Sequence, residues 1–125
     1  MMTSGDQMSQ KKKKIRSNFR KTVLHRDHYQ CRVCGGQEQE DQNIDNVFDL
    51  LDIHHISPRE KMAGGGYVKE NGIALCKTSI EGARTCHEKA EEWLKIGKGA
   101  EGYDPDTLYS LIGSSYALSV KKSKM

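Results

Sequence analysis

Four cysteines in two pairs, Cys31 with Cys34 and Cys76 with Cys86, set the tightest limit on how this chain folds. Only 35% of its 125 residues are hydrophobic and mean hydropathy is −0.77, so a core alone lends so short a chain little stability. Small domains of this kind need a staple. The N-terminus is polar, then basic, without the apolar stretch of a secretory signal. No apolar run approaches the roughly 20 residues of a membrane span. The expectation is an intracellular, cytoplasmic setting with reduced thiols, which favours a metal over disulfides. Cys31-Arg32-Val33-Cys34-Gly35-Gly36 has the spacing of a zinc knuckle, its glycines permitting positive φ. Four thiolates suit one tetrahedral structural zinc. Free buried cysteines and a redox pair at Cys31 and Cys34 are the alternatives; no thioredoxin-like strand–helix unit surrounds the pair. Nine residues separate Cys76 from Cys86, where about two to four is common, so the segment 77–85 with Gly82 is expected to loop outward.

Net charge is +3, but unevenly spread. Residues 1–34 hold nine Lys or Arg against two acids, a formal balance of +7, and residues 37–52 hold six acids and no Lys or Arg. Lys121, Lys122 and Lys124 add a basic C-terminus. Basic ends around a cysteine- and histidine-rich middle fit a polyanionic partner such as nucleic acid. Lys11, Lys12, Lys13 and Lys14 are either a solvated tail or a DNA-binding arm, and a disordered basic arm still attracts phosphate by counterion release.

Hydrophobic spacing places the elements. Residues 1–16 read as a disordered basic tail. Phe19, Val23 and Leu24 predict a short basic helix over about 18–27, with Ser17 as N-cap and Arg20 on its polar side. Residues 37–46 form an acidic, solvated connection. Val47 to Ile56 alternates as a strand, and a loop with Pro58 and Gly64, Gly65 and Gly66 leads to a second strand, Ile73 to Cys76, antiparallel to the first if the loop closes a hairpin. Cys86 to Ile96 is helical, with Ala90, Trp93 and Leu94 apolar and Gly97 as its stop. Asp104-Pro105 opens one last helix whose inner face is Leu108, Leu111, Ile112 and Tyr116. The division is a tail at 1–16, a core domain at 17–97, and a linker, helix and basic tail at 98–125.

The first strand ends in Leu51-Asp52-Ile53-His54-His55-Ile56. Successive strand side chains face opposite ways, so the two histidines cannot easily serve one ion together. One is free to ligate a cation while its neighbour moves a proton. With His87 at a helix start, this suits metal-assisted phosphodiester cleavage, which needs a Lewis acid and a base titrating near working pH. His25 and His28 are read as structural. Arg59 is either a phosphate ligand or an ordinary exposed arginine, and Trp93 is read as core.

Taken together, Arg26-Asp27, Cys31 to Gly35, Leu51 to Ile56, Pro58, the glycines, Asn71 to Cys76 and Cys86-His87 resemble the HNH nucleases. The resemblance spans about residues 26–94 and implies an α+β fold: a small zinc-stapled ββα-metal core with flanking N- and C-terminal helices. It implies His55 as general base, Asn71 as the residue that holds it, and His54 and His87 as ligands of a catalytic divalent metal. Some relatives carry a further histidine four residues after the helix histidine. Glu91 stands there and either ligates through oxygen or pairs with Lys95 on the surface. The long gap before Cys86 departs from the family pattern and bears on whether His87 reaches His54. The implied activity is DNA endonuclease with structural Zn²⁺ and catalytic Mg²⁺, Mn²⁺ or Ni²⁺, in a phage or bacterial setting. Without an evident base-reading helix, specificity is expected to be weak or supplied by a protein partner. A non-catalytic zinc module that only binds nucleic acid is the rival, distinguished by His55 with Asn71.

Overall fold

The computed structural model describes residues 4–35, 51–77 and 84–125, with side chains from residue 10 onward. The expected acidic connection at 37–46, the start of the first strand at 47–50 and most of the loop between Cys76 and Cys86 lie outside these residues.

A two-stranded antiparallel hairpin, β1 (Leu51–His55) and β2 (Gly72–Cys76), lies at the centre, in a register that sets Leu51 opposite Cys76 and His55 opposite Gly72. Every residue of β2 is buried, as a strand covered on both faces must be. Helix α1 (Ser4–Arg26) covers one face through Phe19, Val23 and Leu24, and helix α2 (Cys86–Ile96) covers the other. Gly72 is where α1 comes closest: a Cβ there would stand 2.6 Å from the Phe19 ring and 2.7 Å from Val23. No larger residue fits that contact without moving the helix.

Helix α1 starts at Ser4, so the expected disordered tail and the expected cap at Ser17 give way to one continuous helix. Lys, Gln and Met are good helix formers, and the tail lacks Pro; charge alone is a poor guide to disorder here. The helix is anchored by Asp27. This buried carboxylate accepts from the Ala74 N–H at 2.9 Å and pairs with Arg26 at 2.8 Å, while Arg26 also donates to the carbonyls of Gly72 and Lys69. A buried charge is tolerable only when paired and bonded in this way.

The connection between the strands holds three short 3-10 turns, Arg59–Lys61, Ala63–Gly65 and Lys69–Asn71. Helix α2 spans the expected residues. Thr85 caps its start by accepting from Glu88 N–H, and Gly97, at φ 71°, ends it. The expected single last helix is two: α3 (Pro105–Leu111), capped by Asp104, and α4 (Tyr116–Ser123), capped by Ser115. Gly113 at φ 67° breaks them apart, which no helix interior accommodates. The inner face is accordingly Leu108 and Tyr109, while Leu111 and Tyr116 are exposed.

Candidate metal centre and cleft

The four cysteine sulfurs lie within 4.8 Å of one another, Cys34 Sγ to Cys76 Sγ being 4.0 Å. Zinc–sulfur bonds of about 2.3 Å put tetrahedral sulfurs roughly 3.8 Å apart, so a zinc ion fits among the four with little adjustment. None is in a disulfide. The thiols already interact: a hydrogen bond from Cys86 holds Cys31 down to about 4, and the same contact drives Cys86 up. Tyr103 reaches Cys86 Sγ at 3.3 Å from beyond α2. The knuckle, β2 and the start of α2 thus converge on one point, as the staple reading requires.

The second group stands on the α2 side of β1. His54 Nδ1 and His87 Nε2 each approach one oxygen of Glu91, both at 3.1 Å, and their rings are 5.4 Å apart. The donor atoms of all three residues fall within 4.8 Å of one another. The longer gap before Cys86 therefore does not carry His87 away from His54. Of the two roles open to Glu91, the structure favours the one beside the histidines over the surface pair with Lys95: its carboxyl faces both rings and is held down to about 2, first by the hydrogen bond from His54. Burial lowers His54, which is 1% exposed. Two imidazole nitrogens and a carboxylate oxygen facing one point make an open N,N,O donor set, suited to a divalent cation with positions left for water or substrate.

Asp52 belongs to this group, although the sequence reading passed over it. Its Oδ2 lies 3.2 Å from His87 Nδ1, the nitrogen turned away from Glu91. A carboxylate behind a ligating imidazole fixes its tautomer and orientation. The signal was available, since Asp52 and His54 are two apart on one strand face.

His55 projects to the opposite face. Phe19 stacks on its ring at 4.8 Å and 28°, and the Tyr67 ring meets it edge-on at 4.8 Å. Burial, then the nearby Arg59 and His54 charges, lower it from 6.5 to about 4, so it is neutral at neutral pH. An open cleft of about 510 Å³ is lined by His55, His87 and Glu91 together with Arg16, Arg20 and Arg59. The proton-moving and cation-holding candidates thus line one space despite their opposite faces.

The Asn71 side chain is fully buried and makes four hydrogen bonds, none to His55. Its Oδ1 accepts from Ser57 N–H at 3.0 Å and from the Tyr109 hydroxyl at 2.7 Å, and its Nδ2 donates to the carbonyls of Ser57 at 3.2 Å and Gly66 at 3.3 Å. The Asn71 carbonyl also accepts from Ile56 N–H at 2.9 Å. Asn71 therefore grips the chain just after His55. Among the basic candidates, Arg59 is exposed and donates to the Tyr67 hydroxyl at 2.9 Å. Arg20 lines the cleft, and Lys11 to Lys14 are exposed along α1. Arg16, Phe19, Tyr67 and Tyr109 were missed by the sequence reading, and for Tyr109 no sequence signal exists.

The class of protein follows from this hairpin-and-helix site with its cysteine cluster. The family model for HNH endonuclease matches residues 31–92, so the chain carries an HNH domain over that stretch. No curated protein and no solved structure gives a significant match.

Proposed function

We propose that this HNH protein is a metal-dependent DNA endonuclease. The observation that carries the reading is a single cleft lined by a neutral imidazole that is not in the donor set, by two members of an N,N,O donor set and by three arginines. In this reading His55 takes the proton of the attacking water; an imidazole that stays unprotonated at neutral pH is ready to accept it. His54, His87 and Glu91 would hold the divalent ion, and Asp52 orients His87. A bound cation supplies Lewis-acid stabilisation of the departing 3′ oxygen. Arg59 and Arg20 attract the backbone, and Asn71 keeps Ser57 and the end of β1 in place beneath His55. Products are a 5′-phosphate and a 3′-hydroxyl. Mg²⁺, Mn²⁺ and Ni²⁺ all suit the set, the two imidazoles tilting affinity toward the later transition metals. Zn²⁺ is assigned to Cys31, Cys34, Cys76 and Cys86. The basic run Lys11 to Lys14 adds non-specific attraction to phosphate.

Incubation with supercoiled plasmid and each divalent ion in turn, beside His55→Ala, tests this. Nicked or linear product from the wild type, at least 100-fold less from the variant, is the expected result. Equal cutting by both removes His55 from the reaction, and no cutting under any ion leaves a zinc module that only binds.

A further inference from the structure

A second groove adjoins the cleft, between α1 and the glycine turn. It encloses about 450 Å³ and is lined by Lys12, Arg16, Arg59, Gly64, Gly65 and Tyr67, with Glu60 as its carboxylate. Arg16, Arg59, Glu60 and Tyr67 line both spaces, so the two are continuous.

Two guanidiniums from different elements converge here on one neutral oxygen. Arg59 donates to the Tyr67 hydroxyl at 2.9 Å, and Arg16, reaching across from α1, faces the same group from the other side of the groove and helps lower its pKa. Among the described residues neither arginine is in an ion pair with a carboxylate, although Glu60 stands near Arg59. Like charges gathered on a neutral atom repel unless an anion joins them, and guanidinium forks match phosphate oxygens. The opposite wall is bare backbone. Gly64, at φ 63°, has nothing within 4 Å of where a Cβ would be, and a Cβ on Gly65 would meet the Tyr67 ring at 2.9 Å. The turn thus leaves open space at Gly64 and lets the Tyr67 ring pack against Gly65. The Tyr67 ring is in turn 4.8 Å from that of His55, which sets the groove beside the reacting position.

We propose that Arg16 and Arg59, braced by the Tyr67 hydroxyl, form a subsite for the DNA backbone phosphate next to the one cleaved. This rests on the endonuclease reading for the position of the cut, but not for the binding itself. The consequence is that α1, outside the residues matched by the family, carries part of the substrate site. Arg16 would be a binding residue, with no part in the chemical step.

The test is binding in the zinc-loaded full chain with His55→Ala, so that no cutting intrudes, using a fluorescein-labelled duplex and anisotropy at several salt concentrations. Adding Arg16→Gln should weaken binding about tenfold at low salt and reduce the slope of log K against log salt by about 0.9, the value of one phosphate contact. Lys98→Gln, the same charge removed at an exposed position just beyond the C-terminal end of α2, should move neither quantity by half as much. A set of duplexes each carrying one neutral methylphosphonate should contain a position that weakens the parent and leaves the Arg16→Gln form unaffected. Equal effects from Lys98→Gln, or a methylphosphonate profile that Arg16→Gln does not alter, would overturn the subsite. Circular dichroism establishes that the variant is folded, and Tyr67→Phe supplies a second perturbation of the same clamp, expected to weaken binding with the salt slope retained. Failure of plasmid cutting alone would remove the endonuclease reading and leave this binding result standing.

Discussion

Tyr109→Phe isolates one contact by which the C-terminal helices hold the hairpin. The tyrosine is 2% exposed, and its hydroxyl donates to Asn71 Oδ1 and accepts from the Ser57 hydroxyl, each at 2.7 Å. Phenylalanine keeps the ring and its packing and removes only the oxygen. Asn71 Oδ1 retains the Ser57 N–H, so its loss is partial. The buried Ser57 hydroxyl is left without its acceptor. One lost bond at about 1 kcal/mol and one orphaned donor at about 1 kcal/mol put the destabilisation at ~2 kcal/mol. For a chain of this size that is a fall in Tm of about 8 °C. Ser57→Ala removes the orphan, so the double variant should be more stable than the sum of the single effects allows, by about 1 kcal/mol. In the cleavage assay kcat should fall about tenfold with KM little changed, because loosening Asn71 misplaces His55 without touching the phosphate contacts. Thermal melts of the four forms with zinc bound decide the matter. Strict additivity, or a Tyr109→Phe melt equal to the wild type, would refute the account.

Three other outcomes follow from the site. His55 is held near 4 against an ordinary 6.5, so the unfolded chain takes up the proton first as pH falls. Its contribution to stability is complete above about pH 6.5 and is lost between 6.5 and 4, and the acid limb of kcat/KM at saturating metal should lie below 6.5; a limb at 7 or above would count against His55 as the base. Asp52→Asn removes the charge behind His87 and should weaken binding of the catalytic ion 10- to 100-fold, measured by titration calorimetry with the cysteine site already filled; unchanged affinity would deny Asp52 an orienting role. Metal analysis of the purified chain should return one zinc per chain on the cysteines, and Cys76→Ser or chelation should abolish cooperative melting, whereas a melt indifferent to the chelator would show that the core stands without the staple.

Local chemistry explains which parts could be read in advance. The hairpin strands, α2 with its glycine stop, and the Asp104-Pro105 helix start each carry signals within a few residues, and the structure bears them out. The cysteine group and the trio of His54, His87 and Glu91 were legible because metal ligands announce themselves by residue type. The start of α1 was misjudged because a lysine run reads equally as solvated tail or helix face; what decides between them is propensity along the whole segment. Arg16 and Tyr67 lie 51 positions apart by their numbers, and no periodic pattern links residues that meet only across a tertiary contact. Tyr109 was invisible for the same reason: one buried tyrosine looks like any other until its hydroxyl is seen on Asn71.

The division between the family's residues and the rest of the chain has a physical meaning. Within residues 31–92 stand every donor of both metal groups, His55 and Asn71. Outside them stand Phe19, stacked on His55; Asp27, pinning α1 to β2; and Tyr109, with Ser114 and Ser119, whose hydroxyls both reach the Glu70 carbonyl. The matched part therefore supplies the proposed reacting and ligating atoms, and the flanking helices pack around them. A two-stranded hairpin is marginal by itself, and a base whose ring lay open to water would not be held neutral so far below its ordinary range. Excising the flanks would keep every atom assigned to the proposed reaction while removing Phe19 from the His55 ring and Tyr109 from Asn71, so the proposed activity is expected to need α1, α3 and α4 as well as the core.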